Sequence, residues 1–362
     1  MNIPENAAAA FNGFFPDGKI YETEQILNGH INLTYRILSD KGDFILQRVN
    51  TGIFRDPVGL MNNIKLVTDH LRGKIASAGG DPDRETLTLI RTPDGEPLLD
   101  TGEGVYRMYL FIRGATCYNK AERPGMFAES ARAFGRFQNL LSDFDASKLV
   151  ETIKDFHNTP KRFRDFKSSV EADVCGRAKD CRREIDFFLA REIYCPLLTD
   201  ALQSGELPRR VTHNDTKLNN VMIDDATGRG ICVIDLDTVM PGSMLYDFGD
   251  SIRFGASSAA EDEKDLSKVY CVPELYGEYA RAFLSELKES ITKRELELLH
   301  DGAIMMTLEC GMRFLADYLD GDVYFRTSYP AQNLDRARTQ IKLVADMENR
   351  RGQFEAIIQN CI

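Results

Sequence analysis

No two cysteines in this sequence fall into a C-x-x-C spacing. None of the eight (Cys117, Cys175, Cys181, Cys195, Cys232, Cys271, Cys310, Cys361) sits near a histidine at zinc-finger spacing. Neither a disulfide scaffold nor a structural metal is therefore indicated. The opening stretch, MNIPENAAAAFNGFF, lacks the basic start and long apolar segment of a signal peptide. No run approaches the roughly eighteen apolar residues of a membrane span, so none is expected, and a reducing cytoplasm is the simplest location. A basic patch is missing too, because the densest charge clusters, KRFRDFK at 161–167 and EDEKDLSK at 261–268, mix both signs. With a net charge of −11, neither nucleic acid nor an anionic membrane is expected as a partner. Internal repeats and low-complexity tracts are also absent.

What remains is an ordinary globular composition, 43% hydrophobic and 28% charged, in a chain of 362 residues. That length exceeds one small core and predicts two domains or lobes. Residues 20–115 read as strand-rich. EQILNGHINLTYRILSD holds two apolar runs about a polar turn, and GDFILQRVN follows as a further strand. RDPVGLMNNIKLVTDHLRGKI has helical spacing, LTLIRTPDGEPLLD reads as a hairpin around Pro93-Asp94-Gly95, and VYRMYLFIRG closes this half as a strand. Beyond Gly114 the spacing turns helical. The exception is 207–250, where NVMID and CVIDLD frame a small hairpin around DATGRG. GFFPDGKI at 13–20 approximates a phosphate-binding loop, but Ile20 replaces the required Ser or Thr and no strand precedes it.

The chemistry gathers in VTHNDTKLNN, residues 211–220. Phosphoryl transfer needs an oriented hydroxyl, a carboxylate to accept its proton, and oxygen ligands for Mg²⁺. His213-Asn214-Asp215 is followed by Asn220 five residues beyond the aspartate, the spacing of a kinase catalytic loop. Lys217 stands where an ammonium reaches a transferring phosphoryl group. About twenty residues on, an apolar strand ends in Asp235-Leu236-Asp237, expected to present two carboxylates on one side of an extended chain. Alone, the decade would be an Asn/Asp-rich turn. The downstream aspartate makes it a phosphotransfer site.

THNDTKLNNVMID, GICVIDLDTVM and LYDFGDSIRFGAS together resemble the aminoglycoside phosphotransferase and choline kinase superfamily, small-molecule relatives of protein kinases. NGHINLTYRI, LQRVN and ECGMRFLADYLDGD are similar to the N-acetylhexosamine 1-kinases within it, over nearly the whole chain. The resemblance implies an α+β, two-lobed, protein-kinase-like fold, with an antiparallel β lobe over about 1–114 and a mainly helical lobe over 115–362. ATP would lie in the cleft between them. The implied reaction is ATP-dependent phosphorylation of the anomeric hydroxyl of N-acetylglucosamine or N-acetylgalactosamine. Carried over by position, Asp215 is the base, and Asn220 and Asp235 hold Mg²⁺ with Asp237 as a possible helper. The loop Asn28, Gly29, His30 and Asn32 covers the phosphates. Tyr109 to Arg113, including Phe111, form the adenine hinge, and Asp247 braces the catalytic loop.

Two departures accompany the resemblance. The strand expected to carry a phosphate-binding Lys reads FILQRVN, with Gln47 or Arg48 in its place, and neighbouring strand residues face opposite sides. The helix after it supplies no Glu partner. For the sugar, Arg313 and Tyr324, Phe254 and His30 are the candidates. Glu309 and Arg313 equally suit an i, i+4 surface ion pair, and His30 could face sugar or phosphate. Two further readings stay open: a kinase for another small alcohol (aminoglycoside, choline or homoserine), and a catalytically silent kinase-like binding protein.

Overall fold

The computed structural model describes residues 4–27, 31–287 and 289–361. They divide into two compact units: Met1–Cys117 with Asp143–Lys154 and Val221–Pro241, and Tyr118–Ser142 with Asp155–Asn220 and Gly242–Ile362. The α+β class expected from the sequence is the one found, with an antiparallel sheet in the first unit and helices in the second.

In the first unit, β1 (Ile20–Ile26), β2 (Leu33–Ser39) and β3 (Gly42–Arg48) pair antiparallel in chain order. The next neighbour of β3 is β6 (Val105–Leu110). Two short strands, β4 (Leu89–Ile90) and β5 (Leu99–Asp100), both bond to β6. The arms of the expected hairpin thus pair with β6 instead of each other. Between them remains only a tight turn, closed by Thr92 and Glu96 with Gly95 at φ +88°. Because β3 fills one edge of β6, both arms can satisfy their backbone groups along its other edge.

A helix the sequence pattern did not predict, α1 (Glu5–Phe14), lays Ala7, Ala10, Phe11 and Phe14 on the sheet. There they meet Tyr35, Ile37, Phe44, Leu46, Tyr106 and Met108. Side chains alternate along a strand, so Thr34, Gln47, Arg107 and Tyr109 occupy the opposite face. The stretch 13–20 is the end of α1 and its turn into β1, so a helix and not a strand precedes it. Helix α2 (Pro57–Ser77) starts where Asp56 accepts the Gly59 N–H at 2.9 Å, with Pro57 in the first turn. On its buried side Asn63 exchanges two hydrogen bonds with the Val150 backbone (2.7 and 3.0 Å) and donates to the Val239 carbonyl at 3.0 Å. One asparagine thereby ties segments 143–154 and 221–241 to the helix. After the single turn α3 (Pro82–Glu85), β7 (Ala115–Thr116) joins β9 (Val221–Asp224) and β10 (Gly230–Val233), the latter two forming the expected hairpin.

The second unit comprises α4 (Met126–Leu140), α5 (Thr159–Ala172), α6 (Arg182–Leu189), α7 (Leu197–Ser204), the strand β8 (Arg210–Thr212), α8 (Met244–Gly255), α9 (Pro273–Leu287), α10 (Lys293–Glu297), α11 (Leu299–Leu319), α12 (Gln332–Asn349) and α13 (Arg351–Gln359). Helix α11 is buried on nearly every side and packs against α5, α8 and α12. It crosses α8 backbone to backbone. A Cβ on Gly249 would overlap the Gly302 carbonyl, and one on Gly302 would crowd the carbonyl of Leu245.

Candidate active site

In the second unit the loop after β8 is held by one buried carboxylate. Asp247, in the first turn of α8, accepts the His213 N–H at 2.9 Å, the Asn214 N–H at 2.8 Å and the Gln138 amide at 2.6 Å. Burial pushes its carboxyl up, opposed by His213 and these donors. Asn214 adopts a left-handed conformation at φ +66°, a cost the three-way anchoring sustains. Thr216 continues the clasp, giving its hydroxyl to the Asp247 carbonyl at 2.6 Å and its N–H to Asp250 at 3.2 Å.

That clasp presents Asp215, Lys217 and Asn220 together. Lys217 Nζ lies 2.6 Å from Asp215 Oδ1, while the Asn220 amide donates to Asp215 Oδ2 at 3.1 Å and to its carbonyl at 2.8 Å. Burial alone would lower the Lys217 pKa, but the charges of Asp215 and Asp250 outweigh it and raise it. Asp250 itself is held low, against burial, by Arg253 and Lys217. Arg253 is buried between Asp250 (3.0 Å) and Glu261 (2.7 Å). The loop thus offers a carboxylate oriented from both sides, an ammonium beside it, and the Asn220 Oδ1 still able to accept a cation.

The Asp235 segment lies in the first unit. It does not run on as extended chain: Asp235 is left-handed (φ +60°) and Leu236–Thr238 form a 3₁₀ turn. The two carboxylates expected on one side of a strand therefore take different tasks. Asp235 is exposed, whereas Asp237 is buried, its Oδ1 2.5 Å from Arg107 Nη1 and its Oδ2 accepting from Asn32 at 2.6 Å. Arg107 is 1% exposed; burial disfavours its charge, but Asp237 opposes this and holds the pKa above its ordinary value. A row of cross-strand partners aims it. Arg107 Nε donates to Gln47 at 2.9 Å, and Gln47 donates to Thr34 at 3.1 Å. Both ends of Gln47 are thus occupied within the sheet. Arg48 is exposed and bonds the Glu103 carbonyl at 2.6 Å.

Tyr109 is buried beside Arg107, which lies 5.4 Å from its ring centroid, and burial raises its pKa. Phe111 gives its N–H to the Asp43 carbonyl (2.9 Å) and its ring to Arg36 (4.0 Å). Asn32 bonds Asp237 and the Asn50 N–H. Asn28, Gly29 and His30 lie outside the described residues.

Taken separately, the Asn220 amide carbonyl in the second unit and the exposed Asp235 carboxylate in the first are each an oxygen donor of the kind Mg²⁺ takes. Among the described residues no three His, Cys, Asp or Glu side chains cluster as a metal cage.

A further cluster surrounds α11 in the second unit. Glu309 does not pair with Arg313. It is 1% exposed, with Oε1 2.8 Å from His157 Nδ1 and Oε2 accepting from Thr159 at 2.6 Å. Burial opposes its charge, yet His157 and the two hydrogen bonds keep its pKa below the ordinary value. Arg313 instead stands among three rings, with centroids of Phe156, Tyr324 and Phe325 at 5.8, 5.6 and 5.3 Å, and bonds the Tyr324 hydroxyl at 3.4 Å. Tyr324 is 69% exposed on a loop pinned by Asp317, which accepts the N–H groups of Tyr324 and Phe325. Phe254, 41% exposed, makes no ring contact among the described residues.

Comparison with known proteins follows the same lines. The family model described as "Phosphotransferase enzyme family" matches residues 22–289, most of the chain. The chain belongs to the phosphotransferase enzyme family. Its fold is similar to an aminoglycoside phosphotransferase from Alicyclobacillus acidocaldarius (TM-score 0.59, 14% identity, 100% of this chain and 97% of that one). A spectinomycin phosphotransferase in complex with ADP and spectinomycin gives 0.57 and 13% over 98% and 100%. A choline kinase from Cryptosporidium parvum gives 0.53 and 16% over 92% and 91%. At such identities the likeness is one of fold.

Within this phosphotransferase, sequence reasoning passed over Arg107, Asp250, Arg253, Gln138 and His157. Two left a signal: a charged residue inside the apolar strand VYRMYL, and a second aspartate in LYDFGD. Gln138 and His157 carried none, because their roles depend on partners more than a hundred residues away.

Proposed function

We propose that this phosphotransferase is an ATP-dependent kinase that places phosphate on the anomeric hydroxyl of an N-acetylhexosamine, N-acetylglucosamine or N-acetylgalactosamine. The reading of a working kinase rests on one observation: Asp215 carries its carboxylate between Lys217 and Asn220 on a loop clasped by Asp247. A silent binding protein has no need of that arrangement. The sugar rests on the resemblance of the sequence, and Arg313 supports it. With Glu309 engaged by His157 and Thr159, the exposed side of α11 offers a guanidinium and aromatic rings. These suit carbonyl and hydroxyl oxygens with a ring face, whereas an ammonium-bearing acceptor calls for acid.

In the proposed reaction the sugar hydroxyl hydrogen-bonds Asp215 and attacks the γ-phosphorus in line, the bond to the β-phosphate oxygen breaks, and ADP leaves. The proton passes to Asp215 late, because the transition state is loose and the carboxylate chiefly orients. Lys217 offsets charge on the transferring group. On the resemblance of the sequence, Asn220 and Asp235 would each offer Mg²⁺ an oxygen, and the ion would neutralise phosphate oxygens. The eight unpaired thiols fit a reducing cytoplasm.

The test is ADP release with ATP and Mg²⁺ against N-acetylglucosamine, N-acetylgalactosamine, choline, homoserine and kanamycin, with Asp215→Asn alongside. Turnover of an acetylated sugar that Asp215→Asn abolishes is expected. No turnover on either sugar refutes the substrate, and turnover surviving Asp215→Asn refutes the base.

A further inference from the structure

Arg162 on α5 stands in the same cluster as Arg313. Its Nη2 and Nε donate to the Phe156 carbonyl at 3.1 and 3.4 Å, wrapping the residue whose ring lies below Arg313. Among the described residues neither guanidinium has an ion-pair partner. Glu309, whose charge both feel, has each oxygen engaged by His157 or Thr159, and Asp165 pairs with Lys161 at 2.7 Å. The Arg162 pKa is lowered, first by burial and then by the charge of Arg313. Two neighbouring guanidiniums with no carboxylate bonded to either are costly in a protein carrying 56 acidic residues against 45 basic ones.

The cluster adjoins the catalytic loop through α8. Tyr246, next to Asp247, lies 5.0 Å from the His157 ring, and Asp250 feels the charge of His157. We propose that Arg162 is a specificity-determining residue. Together with Arg313 it takes an sp² oxygen of the acceptor, an amide carbonyl or a carboxylate, and rejects an ammonium. The carbonyl of Phe156 fixes two of its nitrogens and leaves Nη1 as donor. Like-charge repulsion between the two guanidiniums falls when oxygen-bearing ligand density enters and rises when a cation does. The choice of acceptor rests on the sugar reading above; the selection by charge goes beyond it.

The experiment compares the wild-type chain with Arg162→Ala and Arg162→Lys. Steady-state kinetics are measured on N-acetylglucosamine, glucosamine and glucuronic acid, and calorimetric binding of the same three without nucleotide. For Arg162→Ala, loss of a charge-assisted bond raises KM for N-acetylglucosamine about tenfold with kcat little changed. Discrimination against glucosamine falls by a similar factor, and Arg162→Lys retains most of it. A KM and a discrimination ratio both unchanged overturn the role of Arg162 while leaving the sugar reading intact. If the wild type phosphorylates none of the sugars, the sugar reading fails. Binding of glucuronic acid that weakens about tenfold in Arg162→Ala then still upholds Arg162. Equal binding by both proteins, or none by the wild type, overturns it.

Discussion

Replacing Asp237 by Asn tests the most buried charge pair in the first unit. Arg107 is 1% exposed and Asp237 3%, with 2.5 Å between them, so neither charge gains much from water. Removing one member leaves the other buried and unmatched, which costs about 3–5 kcal/mol. Among the described residues Arg107 would retain Gln47, the face of Tyr109 and the charge of Asp235, and Asn32 would lose its charged acceptor. At about 2–4 °C per kcal/mol for a body of this size, the melting temperature should fall by roughly 10 °C. Arg107→Met should cost a similar amount. The double change Arg107→Met with Asp237→Leu should recover much of it, because a buried pair replaced by apolar groups is often neutral. With Asp237→Leu as the matching single variant, urea denaturation of the wild type, Arg107→Met, Asp237→Leu and their double gives the coupling energy, expected above about 2 kcal/mol. Single variants that each cost under about 1 kcal/mol, or a double variant equal to their sum, would refute the reasoning. ADP affinity in folded variants should fall as well, since Asp237 anchors the turn that carries Asp235.

Asp247→Asn turns an acceptor of three N–H donors into a group bearing its own NH₂. Initial rates should show kcat lowered about a hundredfold by loop displacement, with ADP binding by calorimetry unchanged. The raised pKa of Lys217 means that it stays protonated beyond 10.5 and loses its charge only as pH climbs through the folded value. The profile of kcat/KM should therefore show no alkaline limb from this group between about pH 8 and 10. A limb near pH 9 that vanishes in Lys217→Arg would contradict the assignment. Burial pushes the Cys195 and Cys271 thiols up to about 12 and those of Cys181 and Cys310 to about 11, while Cys175 is exposed. Iodoacetamide at neutral pH should label Cys175 first, as read by peptide mass spectrometry, without loss of activity.

The grouping of Asp215, Lys217 and Asn220 was legible because it is local: His-x-Asp and an Asn five residues on sit in one decade of sequence. The strands of the first unit and the β9–β10 hairpin were legible from period-two alternation and turn residues. What could not be read depends on distant partners. Arg107 meets Asp237 across 130 positions, and nothing in VYRMYL or in VIDLD announces that meeting. The reversal at Asp235 was hidden for a related reason, since a left-handed aspartate is strained alone and is held by contacts made elsewhere. Helix α1 was missed because a short alanine-rich run has little helical stability before it docks on a sheet. The sequence left a surface pair of Glu309 with Arg313 open, and the burial of Glu309 against His157 and Thr159 closes it.

The close crossing at Gly249 and Gly302 has a consequence for how this enzyme can diversify. At this point the two backbones meet directly, flanked by the Leu245 and Met306 side chains, and neither glycine leaves room for a methyl. The helix whose Asp247 clasps the Asp215 loop and the helix that bears Arg313 therefore behave as a single chuck. If the proposed acceptor site is right, a new acceptor should call for changes in the bits mounted on it, at 162, 309, 313 and the loop around 324. A methyl at either glycine should disturb catalysis and acceptor choice together.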